Sequence, residues 1–253
     1  MTLNLQVICL PGGVAPASQR YAPLAAATSG RADLHLKDLE VYRETAPLAD
    51  YSIEMELSAL DRFADSLGLD RFHLVGYSGG GFISLAYAAM RRDRLLSLAL
   101  FEPAMVPGEP TSAESEATKV LEAKLAGLTG PEFMSAFVRA QVKPGVELPA
   151  PPPPSPEMSK RPAGIAAMLQ AFIAFRVDRE QLRKCSFPVY YAYGDQTHDV
   201  EAVRAGVLAQ LFSDIHVKRF AGVHHFVSPD RIYTPEHAQS LVDLWRRAQP
   251  ELS

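Results

Sequence analysis

The stretch FHLVGYSGGGF at residues 72–82 decides the fold of this chain. Its first four residues, Phe72 to Val75, form a short apolar run typical of a buried strand. Residues 76–80, GYSGG, follow the pattern G-x-S-x-G, and the apolar sequence from Gly80 to Met90 predicts a helix. A serine on a tight strand-to-helix turn has its hydroxyl exposed at the carboxyl end of the strand. Ser78 is therefore the candidate nucleophile.

Outward from this stretch, short apolar runs alternate with amphipathic segments along most of the chain. The further predicted strands are residues 5–10, 32–36, 95–101, 187–193 and 215–220, and the further predicted helices are residues 51–67, 200–211 and the segment from Thr234. Asp50 is the predicted N-cap of the first of these helices. Such alternation predicts an α/β fold with a mostly parallel central sheet and helices on both faces.

The alternation is interrupted between residues 104 and 184. Residues 111–142 resemble two helices, and a further helix is expected at residues 165–177. Between them, residues 144–162 contain eight prolines in 19 positions. Each proline removes a backbone donor and fixes φ, which predicts an extended, stiff segment. The predicted domains are a core of residues 1–103 and 185–253 and a helical, proline-containing lid of residues 104–184.

Composition limits the classes of partner. The chain has 253 residues with 25 basic against 29 acidic side chains, so no basic surplus is available to neutralise the phosphates of a nucleic acid. We expect no membrane partner, because no stretch approaches the roughly 20 apolar residues of a membrane span. Residues 1–10 lack the pattern of a signal peptide. The two cysteines, Cys9 and Cys185, lie in or beside apolar runs, which favours a reducing, cytoplasmic location.

The GYSGG turn resembles the nucleophile elbow of the α/β-hydrolase family. The likeness extends over essentially the whole chain, from Leu10-Pro11-Gly12-Gly13 to the last helix, and implies an α/β-hydrolase fold with helical lid insertion. The antiparallel strands that usually open this fold have little room here. A nucleotide-binding loop is disfavoured because neither G-x-G-x-x-G nor G-x-x-x-x-G-K-[ST] is present.

The candidate base follows the last predicted strand. A serine needs a base to remove its proton, and residues 221–226, AGVHHF, are similar to the family's G-x-G-H-F-like turn. The resemblance implies that His225 is the base, and Tyr77 and His224 are candidate substrate contacts. We expect no metal site, since adjacent histidines point in different directions. The remaining histidines are assigned structural roles: His35, His73, His198, His216 and His237.

Acyl transfer also needs hydrogen-bond donors for the developing oxyanion. In this fold one donor is the N–H after the nucleophile, here that of Gly79. The turn Pro11-Gly12-Gly13 resembles the family's H-G-x turn with proline in the place of histidine. That resemblance implies that the Gly13 N–H is the second donor.

The acidic member of the triad stays open. Many family members place an aspartate three residues after the glycine that ends the penultimate strand, but the residue three after Gly194 is Thr197. Three carboxylates could replace it. They are Glu102 at the end of a strand, Asp199 further along the same loop, and Asp195 directly after the glycine. A serine–histidine dyad without an acid is the remaining alternative.

These residues predict a carboxylesterase-like serine hydrolase that cleaves a small ester, thioester or related acyl bond through an acyl-enzyme, with a small-molecule substrate and no cofactor. A cofactor-free haloperoxidase-like enzyme, a C–C hydrolase or a lyase could use the same triad. A ligand-binding protein on this fold that has lost turnover is the alternative from another class. Apolar residues of the lid are candidates for the roof of the pocket: Phe133, Met134, Phe137, Met168, Phe172 and Phe175.

Overall fold

A computed structural model describes residues 4–128, 130–150 and 153–250 of the chain. Its six strands form one sheet in the order β2-β1-β3-β4-β5-β6, and every neighbouring pair is parallel. The strands are β1 (Leu5–Leu10), β2 (Ala32–Leu36), β3 (Phe72–Tyr77), β4 (Leu95–Phe101), β5 (Val189–Gly194) and β6 (Ile215–Phe220). The predicted α/β class and its parallel sheet are confirmed.

Helices cover both faces of the sheet. They are α1 (Ala17–Arg20), α2 (Ala22–Thr28), α3 (Ile53–Ser66), α4 (Gly79–Arg91), α5 (Ser112–Leu125), α6 (Gly130–Ala140), α7 (Pro156–Ser159), α8 (Arg161–Ala174), α9 (Glu180–Arg183), α10 (Val200–Leu211), α11 (Pro229–Ile232) and α12 (Thr234–Ala248). Successive residues of a strand point to opposite faces. Accordingly, Ile8 and Leu10 of β1 join a core that includes residues of α3 and α4, whereas Val7 and Cys9 join one that includes residues of α2 and α12.

The proline-rich segment is more helical than its composition predicts. Two of its prolines lie in the first turn of a helix, Pro156 in α7 and Pro162 in α8. A backbone N–H in the first turn has no intrahelical acceptor, so proline costs no hydrogen bond there. The Ser155 side chain accepts a hydrogen bond of 3.2 Å from the Met158 N–H and caps α7. The expectation of an extended run is wrong at these two positions. Pro151 and Pro152 lie outside the described residues.

The predicted N-cap of α3 is two residues too early. The helix begins at Ile53, and the Ser52 hydroxyl accepts a hydrogen bond of 3.4 Å from the Met55 N–H. Ser52 therefore takes the role predicted for Asp50.

The division into a core and a lid of residues 104–184 stays a prediction. Across the described ranges, no helix combines the length and the apolar character that crossing a bilayer requires.

Candidate active site

Ser78 lies on a strained turn between β3 and α4. Its backbone has φ 53° and ψ −116°, in the left-handed half of the map that a residue with a side chain rarely adopts. The flanking glycines make the turn possible. A Cβ on Gly76 would lie 2.3 Å from Ser84 Oγ, and one on Gly80 would lie 2.4 Å from the Pro11 carbonyl oxygen. The sequence thus holds the serine hydroxyl in the open at the carboxyl edge of the sheet.

A continuous chain of hydrogen bonds joins three predicted site residues. Ser78 Oγ lies 3.0 Å from His225 Nε2, and His225 Nδ1 lies 2.7 Å from Glu102 Oε2. An ionised carboxylate only accepts hydrogen bonds, so Nδ1 carries the proton and Nε2 is free to accept from the serine. Glu102 is fully buried directly after β4 and has φ 44°. In the described chain, Ser78 and Glu102 are the two non-glycine residues with positive φ, which concentrates backbone strain at this site.

The second oxygen of Glu102 is held from β5 and the loop that follows it. Glu102 Oε1 accepts hydrogen bonds from the Gly194 N–H at 2.8 Å and from the Thr197 hydroxyl at 2.6 Å. Thr197 stands where many family members carry the acid, and here its side chain donates to an acid from the neighbouring strand end. Both carboxylate oxygens are therefore oriented, one toward the loop and one toward His225.

The other two candidate acids do not reach the histidine. Asp199 is 89% exposed and its carboxylate pairs with Lys143 Nζ at 3.0 Å. Asp195 Oδ1 accepts a hydrogen bond of 2.8 Å from the Gly222 N–H and braces the turn after β6. Of the three carboxylates, the structure brings Glu102 alone to His225, and the proposals for Asp199 and Asp195 are corrected.

A cavity of about 340 Å³ opens above Ser78 and His225. Its wall is mainly apolar, and helices α5, α6 and α8 supply much of it. Four of the six predicted roof residues line it: Phe133, Phe137, Met168 and Phe172. Phe175 instead packs edge-on against Phe82, with ring centroids 6.2 Å apart, and Met134 packs against the core. The expected apolar pocket is present, with these two residues outside its wall.

Two glycines at strand ends offer unpaired N–H groups beside this cavity. Gly13 and Gly79 both line it, and neither N–H has an acceptor among the described residues. The Gly80 N–H donates to the Pro11 carbonyl at 3.0 Å and holds the β1 turn against the elbow. The Tyr42 hydroxyl donates to the Gly13 carbonyl at 2.9 Å and fixes that peptide. The arrangement can bind an oxyanion beside Ser78.

A known protein family shares the sequence pattern of this chain. The sequence model of the alpha/beta hydrolase fold family matches residues 7–231. The chain belongs to this family. No curated protein matches the chain.

Solved structures share the fold at low identity. A thermophilic esterase from Thermogutta terrifontis is 17% identical with a TM-score of 0.73, covering 98% of this chain and 92% of that one. A meta-cleavage product hydrolase from Pseudomonas fluorescens is 14% identical with a TM-score of 0.64, covering 97% and 92%. A proline iminopeptidase from Mycobacterium smegmatis is 19% identical with a TM-score of 0.66, covering 98% and 91%. At these identities the likeness shows the fold alone.

In this α/β-hydrolase fold, Tyr77 lies behind His225 rather than in the cavity wall. Its hydroxyl donates a hydrogen bond of 2.6 Å to the His225 carbonyl, and the two rings lie 5.0 Å apart between centroids. The Arg20 guanidinium also packs on Tyr77, 4.4 Å from the ring centre. Arg20 in turn forms a buried ion pair with Asp230, in which Nη1 donates to both carboxylate oxygens at 3.0 and 2.8 Å. The structure thus places Tyr77, a candidate substrate contact, against His225 and outside the cavity wall.

His224 also lies outside the residues that line the cavity. Its backbone pairs with Val227 through hydrogen bonds of 3.3 and 2.9 Å, and its ring Nδ1 accepts from the Phe226 N–H at 3.3 Å. Burial lowers the pKa of His224 below its usual range. The structure thus places His224, the other candidate substrate contact, in the turn that presents His225.

Among the cavity residues that sequence reasoning missed, two carry nitrogen donors in their side-chain rings or guanidinium groups. His198, assigned a structural role, and Arg204, not considered, both line the cavity. A histidine in a loop and an arginine in a helix carry no local signal of this kind, because the cavity arises from packing between distant segments. In the part of the chain that the structure describes, no cluster of three His, Cys, Asp or Glu side chains is arranged to hold a metal ion.

Proposed function

We propose that this protein is a serine hydrolase that cleaves a small ester, thioester or related acyl bond through an acyl-enzyme. The observation that carries the proposal is the hydrogen-bonded series Ser78–His225–Glu102 beside an apolar cavity. A nucleophile next to a base that is itself oriented by a third group is the arrangement required for covalent acyl transfer.

In the first half-reaction, Ser78 Oγ attacks the substrate carbonyl and its proton moves to His225 Nε2. The imidazolium then gives that proton to the leaving group as the bond to the carbonyl carbon breaks. Glu102 holds the Nδ1 proton and stabilises the transient positive charge. In the second half-reaction, water attacks the acyl-enzyme by the same proton path and releases the acid. These steps use the protein's own groups and water.

Charge on the carbonyl oxygen would be stabilised by the N–H groups of Gly13 and Gly79. The N-terminus of α4, which begins at Gly79, adds a favourable partial positive charge. Donors fixed before the reaction stabilise the developing oxyanion without reorganising, which is often the largest contribution to catalysis.

The shape of the cavity supports a small, largely apolar substrate. A volume of about 340 Å³ lies at the lower end of ordinary small-molecule pockets. We further propose that residues 104–184 act as a lid, since α5, α6 and α8 supply much of the cavity wall. The polar atoms of a scissile carbonyl would then meet Ser78 and the two backbone donors at the cavity floor.

The decisive experiment combines turnover with covalent labelling. Wild type, Ser78→Ala and the surface control Ser66→Ala are assayed with p-nitrophenyl acetate, butyrate and hexanoate and with a fluorophosphonate. We expect turnover and stoichiometric labelling of wild type and Ser66→Ala, and neither in Ser78→Ala. A wild type that neither labels nor turns over would contradict the proposal and favour a ligand-binding protein on this fold.

A mixed outcome has a distinct meaning. Labelling of Ser78 without hydrolysis of any ester would contradict the ester assignment. It would favour a C–C bond hydrolase, because the same triad can serve that reaction.

A further inference from the structure

Arg204 is a charged side chain in a mainly apolar cavity, and the proposed steps do not use it. It projects from α10, is 6% exposed, and lines the cavity with Ser78 and His225. Its Nη1 donates to the Pro103 carbonyl at 3.0 Å and pairs with Glu201. The next residue after Pro103, Ala104, donates its N–H to the Ser78 carbonyl at 2.8 Å. These contacts hold Arg204 against the Pro103–Ala104 segment, which is itself bonded to the nucleophile turn.

Part of the Arg204 guanidinium remains free for a ligand. A guanidinium has five N–H donors, and among the described residues Nε and Nη2 of Arg204 have no acceptor. In the described chain, side-chain nitrogens that are both inaccessible and without a hydrogen-bond partner belong to Arg20, Arg161 and Trp245. The unpaired nitrogens of Arg204 are not in this group, so they retain some accessible surface. The small exposed part of Arg204 thus opens to the cavity that it lines.

His198 provides a second donor at the same cavity. Its Nδ1 accepts a hydrogen bond of 3.3 Å from the Val200 N–H, which places the ring proton on Nε2. Burial, with Arg204 and His225 nearby, lowers the pKa of His198 to about 3. At neutral pH the ring is therefore neutral, with a fixed Nε2–H that has no acceptor among the described residues.

We propose that His198 and Arg204 form a subsite that binds an uncharged oxygen acceptor of the substrate at a distance from the scissile carbonyl. This inference rests on the proposed hydrolase function and narrows its substrate class. The substrates are esters or related acyl compounds that carry a keto, ether or hydroxyl oxygen on an otherwise apolar chain. Buried donors left without a partner disfavour a purely hydrocarbon substrate.

The charge balance of the site favours an uncharged acceptor over a carboxylate. The positive charge of Arg204 is already compensated by buried Glu201, and Glu102 adds a second buried carboxylate. Burial raises the pKa of Glu201, and an anionic ligand would oppose its ionisation further. A neutral oxygen can accept from Arg204 and His198 without adding negative charge to a site that already holds Glu201, Glu102 and the cavity-lining Glu122.

Matched esters test the subsite. In the acyl series, ethyl hexanoate is compared with ethyl 4-oxohexanoate, ethyl 5-oxohexanoate and the anionic monoethyl adipate. In the alcohol series, hexyl acetate is compared with the isosteric ether 2-propoxyethyl acetate. We expect at least one neutral oxygen-bearing ester to exceed its hydrocarbon partner in kcat/KM by about ten-fold, since hydrogen bonds to charged groups contribute that much. Monoethyl adipate should fall below the best of them.

Variants show which side chains cause the preference for oxygen-bearing esters. In His198→Phe and in Glu201→Gln/Arg204→Gln, the ratio of kcat/KM between the best oxygen-bearing ester and its hydrocarbon partner should fall toward one. The double variant removes both charges together, so that no buried carboxylate is left unpaired. Arg62→Met, an exposed arginine on α3, is the matched control and should retain the wild-type ratio.

Binding measurements separate this proposal from the proposed function. Ser78→Ala cannot form an acyl-enzyme, so the Kd of each ester can be measured by titration calorimetry without turnover. A wild type that hydrolyses the hydrocarbon esters but shows ratios near one throughout, or prefers monoethyl adipate, overturns the subsite and leaves the hydrolase intact. If no ester is hydrolysed, a ten-fold Kd ratio in Ser78→Ala that His198→Phe removes supports the subsite alone, and equal Kd values overturn it.

Discussion

The Tyr77 hydroxyl donates a hydrogen bond of 2.6 Å to the main-chain carbonyl of His225. The residue directly before the proposed nucleophile thus holds the proposed base in place. Arg20, which is ion-paired with Asp230 of α11, also packs on the Tyr77 ring, with its guanidinium carbon 4.4 Å from the ring centre. The distance between Ser78 and His225 therefore depends on the buried hydrogen bond from Tyr77 to His225, and Tyr77 lies outside the cavity wall.

Tyr77→Phe removes this hydroxyl and keeps the ring. We expect kcat to fall about five-fold with KM nearly unchanged, because a lost hydrogen bond of this kind is worth about 1 kcal/mol and acts on the position of the base. Steady-state kinetics with a p-nitrophenyl ester measure the effect. Tyr233→Phe is a matched control, since the Tyr233 hydroxyl donates to the Ala221 carbonyl at 2.9 Å near the start of the same loop. Equal losses in both variants would argue for a general loosening of the loop.

Glu102→Gln tests the acid of the triad. The amide cannot fix the histidine tautomer or stabilise the imidazolium, so we expect kcat to fall by about 10³- to 10⁴-fold. Asp199→Asn and Asp195→Asn are the controls and should retain kcat within about two-fold, because neither carboxylate contacts His225. A large loss in either control with activity retained in Glu102→Gln would refute the assignment.

The parts of the site that sequence could predict are those with a local signal. Ser78 and His225 each stand in a short motif at a strand end, where the local pattern identifies the residue. The acid has no such motif. Its identity depends on which carboxylate the pairing of β4 with β5 brings to His225, and that pairing lies between Leu98–Phe101 and Val189–Ala192. The sequence therefore left Glu102, Asp199 and Asp195 open.

The other differences have local and long-range causes. The alternating apolar runs predicted the strands and a mostly parallel sheet, whereas Pro156 and Pro162 began helices because a first-turn position does not need the N–H that proline lacks. His198 and Arg204 became cavity residues because helices from residues 104–184 cover the sheet edge beside them. No periodicity in either residue's own segment could have shown this.

Thr197→Val tests the donor that stands where the family acid usually lies. The variant keeps the shape but leaves Glu102 Oε1 with one donor, that of the Gly194 N–H. We expect stability to fall by about 1–3 kcal/mol and kcat by roughly ten-fold, since a buried carboxylate loses a partner and its orientation. Thermal unfolding and ester kinetics measure the two effects. Thr197→Ser, which retains the hydroxyl, should restore both, and a failure of this rescue would exclude the hydrogen bond as the cause.

Two buried histidines outside the site predict how stability depends on pH. Burial lowers the pKa values of His73 and His237 to about 4 in the folded protein, whereas an unfolded chain has a histidine pKa near 6.5. Between these values the unfolded state binds more protons than the folded state. Their contribution to stability is therefore fully present above about pH 6.5 and is lost as the pH falls toward 4.

Urea unfolding at pH 7 and pH 4.5 measures this loss. Each histidine can account for at most about 3 kcal/mol, the equivalent of its pKa difference. His73 lies between Ser97 Oγ at 2.8 Å and Gln249 Oε1 at 2.9 Å, so His73→Gln, which keeps polar atoms but does not titrate, should lower stability at pH 7 and reduce the difference between the two pH values. His216→Gln, at an exposed position on β6, is the control and should leave that difference unchanged. An undiminished difference in His73→Gln would show that other groups cause the loss of stability in acid.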